Sequence, residues 1–105
     1  MLPSIPRQYI DYLAAHGVFE GFTLEGARPG YVALWPVKEI AGNNSDVEVE
    51  TYAPGFLAFA GNSCGELLAF DPTGAVFMLP MIGMAPECAI RIADSFLDLA
   101  MRFEI

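Results

Sequence analysis

One pair of carboxylates in this sequence, Glu66 and Asp71, is placed where acid–base catalysis can be considered. General acid–base chemistry needs two groups that converge on one reacting bond. The two residues are five positions apart on a predicted strand, whose neighbouring residues point to opposite faces of a sheet, so the carboxylates should lie far apart. We therefore predict that this pair is not catalytic.

The other residue types that carry chemistry are too few for a catalytic or metal site. His16 is the only histidine, so no nucleophile–base–orienter set can be assembled, and the spacing typical of metal ligands is absent. Cys64 and Cys88 form no Cys-x-x-Cys motif, and the N-terminus does not resemble a signal peptide. We predict a reduced, buried pair of cysteines in a cytoplasmic protein that is not an enzyme and needs no cofactor or metal.

The loop Gly61–Gly65 has a superficial likeness to a phosphate-binding loop. It lacks the Lys-Ser/Thr pair of a P-loop, and it leads into a predicted strand instead of a helix N-terminus. We interpret it as a tight connection between two strands. A small-ligand site or an unrecognised enzyme cleft beside this loop is the alternative.

The chain is organised around a predicted β-hairpin. Two apolar runs, Leu67–Phe70 and Ala75–Leu79, flank a turn in which Asp71 can accept backbone N–H bonds and Gly74 can adopt a positive φ. Both runs are apolar on both faces, so this hairpin should lie inside a sheet that is covered on each side.

Two helical regions are predicted to supply the cover. The first spans residues 6–16, with Ser4 as its N-cap and Gly17 after its last turn. The second begins near Pro86, because apolar residues recur at three-to-four spacing from there toward the C-terminus. Whether it is one helix or restarts at Asp94–Ser95 stays open.

The remaining segments predict further strands and loops. Together they indicate one α+β domain over residues 1–105, with a central, mostly antiparallel sheet flanked by an N-terminal and a C-terminal helix. The predicted segments are an irregular strand at 19–24, a strand at Tyr31–Trp35, one helical turn at 37–41, a loop at 42–46, a strand or extended edge at 47–52 and a buried strand at Phe56–Ala60.

The composition is unusually apolar for a chain of 105 residues. Hydrophobic residues make up 54% and charged residues 17%, against averages of about 45–50% and about 25%. Either the core is very well filled, or part of the apolar surface is exposed for a partner or a second copy. Met81 and Met84 pose the same choice, because methionine fills core gaps and also lines adaptable binding surfaces; we predict core filling.

Thirteen acidic and five basic residues give a net charge of −8. This charge argues against nucleic acid or an anionic membrane as a partner and favours a basic protein, and it also keeps a small domain soluble. Asp46, Glu48 and Glu50 form the densest acidic patch, which either protects a strand edge from pairing or receives a basic partner. Trp35 is the predicted apolar centre of such a binding site.

Several segments resemble, in order, the SUKH superfamily (Smi/Knr-like domains). The most specific are the Phe-Asp turn at Phe70–Asp71 and the Ala-Asp-Ser-Phe run at Ala93–Phe96, and the resemblance covers nearly the whole chain. The other segments that carry it are the Leu-Pro, Tyr-Ile and Leu of the first helix, Gly17, Trp35, Tyr52–Leu57, Gly65–Asp71, Gly74–Phe77 and Pro80.

This resemblance implies an α+β scaffold without catalytic residues. Many bacterial members of the superfamily are immunity proteins, which neutralise a toxin by binding it, and eukaryotic relatives are linked to cell-wall regulation. We therefore predict a non-enzymatic protein that binds and occludes a basic toxin. A self-associating scaffold, such as a homodimer, is the alternative hypothesis.

Overall fold

In the computed structural model, which describes residues 3–104, six antiparallel strands form one sheet in the order β1-β2-β3-β4-β5-β6. Each strand therefore pairs with the next one along the chain, and the predicted α+β class is confirmed. The strands are β1 Glu20–Phe22, β2 Tyr31–Leu34, β3 Leu57–Gly61, β4 Glu66–Phe70, β5 Val76–Pro80 and β6 Ile90–Ala93. The helices are α1 Arg7–His16, α2 Val37–Asp46, α3 Val49–Tyr52 and α4 Phe96–Ala100, with a turn of 3₁₀-helix at Pro86–Cys88.

The predicted central hairpin is confirmed as β4 and β5. Its turn is held by the side chain of Asp71, whose Oδ1 accepts the N–H of Thr73 at 2.9 Å and the N–H of Ala75 at 3.1 Å. Gly74 has a φ of 87°, a conformation that residues with a Cβ rarely adopt. The local chemistry of four residues thus fixes the register of β4 against β5.

Two apolar clusters lie on opposite faces of the sheet. Alternate residues of β4 divide between them: Leu68 and Phe70 face the first cluster, and Leu67 and Ala69 face the second. α1 and α4 both cover the first face, whereas α3 and the connection at residues 81–89 cover the second. The two terminal helices therefore flank the sheet from the same side, and shorter segments form the other cover.

Tyr9 is the centre of the first cluster. Its ring makes edge contacts with the rings of Phe59, Phe70 and Phe96, at centroid distances of 5.3, 5.9 and 4.9 Å. Its hydroxyl donates to the carbonyl oxygen of Trp35 at 2.6 Å, which satisfies the phenol inside the core. Burial raises the pKa of Tyr9, and the bond to Trp35 offsets this only in part.

The first helix begins one residue later than predicted, and its cap differs. Pro6 occupies the N-cap position, and no side chain caps the helix, so the prediction that Ser4 is the cap was wrong. The predicted end is confirmed: the helix stops at His16, and Gly17 follows with a φ of 76°.

Residues 42–52 differ from the sequence prediction. The predicted loop at 42–46 is the second half of α2, and the predicted strand at 47–52 is a sharp turn followed by α3. The reason is tertiary: Ile40 and Asn44 of α2 and Val49 of α3 are buried, so these residues are stabilised by packing that their local pattern does not reveal.

The predicted C-terminal helical region also divides. Ile90–Ala93 is a strand, because it pairs with the outer side of β5, and the helical prediction for these residues was wrong. The restart at Asp94–Ser95, which the sequence left open, is observed: Ser95 is the N-cap of α4, and its Oγ accepts the N–H of Asp98 at 3.2 Å.

Candidate functional site

The carboxylates considered for catalysis lie at opposite ends of β4 and have structural partners. Glu66 accepts a hydrogen bond from the side-chain nitrogen of Asn62 at 2.9 Å, and Asp71 accepts the backbone N–H groups of the β4–β5 turn. Within residues 3–104, no three His, Cys, Asp or Glu side chains are grouped to hold a metal ion. His16 is exposed at the end of α1 with its ring 4.7 Å from that of Tyr12.

The Gly61–Gly65 loop connects β3 to β4, as predicted. Asn62 is buried inside it, and its Oδ1 accepts the N–H groups of Cys64 at 2.9 Å and Glu66 at 3.2 Å. A phosphate bound in this loop would need these N–H groups as donors. They already donate to the side chain of Asn62.

The cysteines lie at the surface, which corrects the prediction that they are buried. Cys64 is in the β3–β4 loop and Cys88 is in the 3₁₀ turn, and both are free and exposed. Surface segments of this kind leave little apolar contact for a small side chain, whatever its intrinsic preference for the core.

The three acidic residues predicted as a partner site do lie close together along the chain surface, although on helices instead of a strand. Asp46 ends α2, Glu48 links the two helices and Glu50 is in the first turn of α3, and all three are exposed. Glu48 and Glu50 line a shallow depression of about 440 Å³, together with Ala41, Asn44, Ser45 and Thr51.

Asn44 holds the neighbouring acidic segment, residues 46–50, against the sheet. It is buried, its Nδ2 donates to the carbonyl oxygens of Ile40 and Ala58 at 2.7 and 2.8 Å, and its Oδ1 accepts the N–H of Ala58 at 2.9 Å. β2 pairs with β3 only at Ala60 and Gly61. The Asn44 side chain therefore bonds the N–H and C=O of Ala58, which lie beyond the part of β3 that pairs with β2.

Two features of the acidic segment are unfavourable for local stability. Glu48 has a φ of 57° and a ψ of 43°, a left-handed conformation that costs a residue with a Cβ roughly 1–2 kcal/mol. Asp46 places a negative charge at the C-terminus of α2, where the helix dipole favours a cation. Local costs without a structural return are typical of functional sites.

Trp35, the predicted apolar centre of a binding site, lies directly after β2. Its side chain is half-buried and packs against both apolar clusters, while its N–H donates to the carbonyl oxygen of Phe59 at 3.0 Å. Trp35 therefore contacts the apolar clusters on both faces of the sheet, and its role in binding stays a prediction.

Charge is distributed unequally between the two covers of the sheet. We define the acidic surface as the exposed side chains of residues 46–52 and 81–89, the segments that pack over the second cluster; it carries four acids and no base, a net charge of −4. The charged members are Asp46, Glu48, Glu50 and Glu87.

The neutral surface, defined as the side chains of α1, α4 and Arg102, has two acids and two bases and no net charge. Its charged residues are joined in ion pairs, Arg7 with Asp11 at 3.0 Å and Arg102 with Asp98 at 3.5 Å. The imbalance extends along the chain, because residues 39–90 contain seven acids and no Lys, Arg or His.

An exposed apolar tip was missed by the sequence prediction. Met84 is buried in the second cluster, as predicted, but Met81 is exposed, and its neighbour Ile82 is 95% exposed. The only signal in the sequence was Gly83, whose φ of 74° turns the chain at this point. The run between Pro80 and Pro86 therefore divides into a core residue and a surface tip.

With this geometry in hand, comparison with family models gives a match to the SMI1 / KNR4 family (SUKH-1) over residues 4–102 of the 105-residue chain. The chain belongs to the SMI1 / KNR4 family. This SUKH-1 membership confirms the resemblance predicted from the sequence. A search of curated proteins finds no match. No helix within residues 3–104 is long and apolar enough to cross a membrane.

Proposed function

We propose that this SUKH-1 domain is a non-enzymatic binding protein of the immunity type, which neutralises a basic toxin by occluding it. Membership of the family supports this role, since it is consistent with an immunity protein. The observation that carries the proposal is the acidic surface, whose net charge of −4 lies on one cover of the sheet while the other cover is neutral. A surface of one sign accelerates encounter with a partner of the other sign.

The contact residues of this proposal are Asp46, Glu48 and Glu50. Asp46 and Glu48 form no ion pair within residues 3–104, because the three described ion pairs all lie outside the acidic surface. The local costs at Asp46 and Glu48 support a role in binding over edge protection, since the segment is helical and has no strand edge to protect.

The test is co-expression of the chain with the protein encoded beside its own gene, in catalytically inactive form. We expect a one-to-one complex whose association rate falls as salt is raised from 50 to 500 mM NaCl. The variant Asp46→Asn/Glu48→Gln/Glu50→Gln should associate about 10-fold or more slowly. The matched control is Asp11→Asn/Asp94→Asn/Asp98→Asn, which removes the same charge outside the acidic surface and should retain more of the rate.

Two results would contradict the proposal. One is the absence of a neighbour-encoded protein that binds the chain. The other is a complex whose association slows equally in both triple variants, because only the net charge would then matter.

A further inference from the structure

The turn at Met81 and Ile82 presents apolar side chains to solvent in a fixed position. Ile82 is 95% exposed, more than any other large apolar residue within residues 3–104. A single exposed aliphatic residue needs no explanation, but a β-branched side chain at the tip of a turn is unusual where glycine and polar residues dominate. Met81 beside it is 45% exposed, so the tip is apolar over two consecutive residues.

Contacts on both sides of the tip hold it in place. The N–H of Met81 donates to the carbonyl oxygen of Gly65 at 3.0 Å, which ties the tip to the β3–β4 loop. On the other side Met84 is buried in the second cluster, which also contains Val49 of α3. The tip is thus pre-organised, and a partner that buries it loses little conformational entropy.

The charge around the tip indicates what kind of partner would cover it. Residues 39–90 include the tip, α3 and the β3–β4 loop, and they contain seven acids and no basic residue. Such a field repels an anionic membrane and a second copy of the same chain, and it attracts a basic surface.

From these observations we infer that Ile82, with Met81, is the apolar anchor of the acidic surface, and that it inserts into an apolar socket rimmed by Lys or Arg on the basic protein partner. The inference rests on the proposed function and assigns to Ile82 the role of apolar anchor, for which residue type alone had indicated Trp35. Interfaces commonly combine a buried apolar anchor with a charged rim. Glu87 in the same connection, and Glu48 and Glu50 on either side of Val49, which shares the second cluster with Met84, supply the acidic side of that rim.

The experiment measures dissociation constants by calorimetry, with the purified, inactive neighbour-encoded protein as the probe. Ile82→Ser should weaken binding roughly 10- to 100-fold, because the complex would no longer bury the apolar area of one aliphatic side chain. Ile82→Leu should bind within about threefold of the wild type, because it keeps the apolar volume. Met101→Ser is the matched control, since Met101 is 81% exposed directly after α4, on the neutral side, and its loss should leave affinity unchanged.

Folding does not confuse this test, because thermal melting of Ile82→Ser should match the wild type at so exposed a position. Equal binding by Ile82→Ser and wild type would overturn the anchor while leaving the proposed function intact. Absence of binding by the wild type itself would instead overturn the proposed function, and the anchor with it. A dimer of the chain that disappears in Ile82→Ser would assign the tip to a second copy. Binding to anionic vesicles by the wild type but not by Ile82→Ser would assign the tip to a membrane. Either result would also overturn the inference.

Discussion

The two covers of the sheet differ in their side chains as much as in their charge. Beneath the neutral surface the rings of Tyr9, Phe59, Phe70 and Phe96 contact one another within 6.5 Å. Beneath the acidic surface the fully buried residues are small or aliphatic, including Ala53, Ala58, Ala69, Val49 and Leu79. Apolar area and aromatic contact are therefore concentrated on the side without net charge.

This contrast indicates a division between stability and recognition. The neutral surface pairs its charges within itself and lies over a dense aromatic layer, which is what a stabilising cover needs. The acidic surface carries a left-handed Glu48, an acid at a helix C-terminus and an exposed Ile82, each of which lowers stability or solubility. Under the proposed function, the first cover is the scaffold and the second is the surface that meets the partner.

The largest effect is expected in the aromatic layer. Phe96→Ala should lower the free energy of unfolding by about 3–5 kcal/mol, because it removes a fully buried ring from the first cluster. Phe77→Ala is the matched change on the other face, where the ring is half-buried, and it should cost less than half as much. Urea denaturation followed by circular dichroism measures both; equal losses would remove the proposed asymmetry.

The next effect concerns the attachment of the acidic segment. Asn44→Ala should lower the free energy of unfolding by about 1–3 kcal/mol, since the N–H and C=O of Ala58 lose their partners inside the protein. Asn43→Ala, one residue earlier on α2, should not lower the free energy of unfolding, because alanine is the better helix former. Hydrogen exchange at the Ala58 amide should accelerate only in Asn44→Ala; unchanged protection would contradict the role assigned to Asn44.

A smaller effect, with the opposite sign, is expected at the link between α2 and α3. Glu48→Gly should raise the free energy of unfolding by about 0.5–1 kcal/mol, because glycine adopts the left-handed conformation without strain. Glu39→Gly, in the first turn of α2, should lower it by about 1 kcal/mol. Glu48→Gly should also weaken binding of the basic partner. A variant that is both more stable and fully binding would show that the strain serves no function.

The smallest effect distinguishes the two surfaces by sign. Asp46→Asn should stabilise the protein, and Asp98→Asn should destabilise it, each by about 0.3–1 kcal/mol. Asp46 opposes the dipole at the C-terminus of α2, whereas Asp98 is in the first turn of α4 and pairs with Arg102. Thermal melting at low salt and in 0.5 M NaCl measures the difference, which should shrink as salt screens it. Shifts of the same sign would contradict the electrostatic contrast.

Short-range chemistry explains which elements the sequence predicted well. The β4–β5 turn depends on Asp71 and Gly74, the end of α1 on Gly17, and the β2 strand on a run of strand-forming residues, so each signal lies inside the element that it specifies. The sequence prediction ended α2 too early because Gly42 and Asn43 are weak helix formers. The bond from Asn44 to Ala58 that holds this helix spans 14 residues and leaves no local pattern.

Contacts between distant residues also decide the structure of the C-terminal region and of the candidate site. Residues 90–93 fit a helical spacing of apolar residues, and the strand forms only because β5 offers an unpaired edge. Trp35 was assigned to a binding surface on residue type alone, and its packing against both clusters involves residues so distant in the chain that no local pattern shows it. The acids predicted as a partner site are exposed, as expected, because charged side chains stay at the surface whichever element carries them.

The sequence by itself determined the net charge of −8, the absence of any basic residue from 39 to 90, the central turn and the family. Those properties are sums or local patterns, so they do not depend on how distant segments meet. Only the tertiary structure decided that α1 and α4 share one face, and that α3 and the Met81–Ile82 tip share the cover on the other. Contacts between residues far apart in the chain make that choice, because burying both faces of the sheet requires each segment to find the apolar surface that the others leave uncovered.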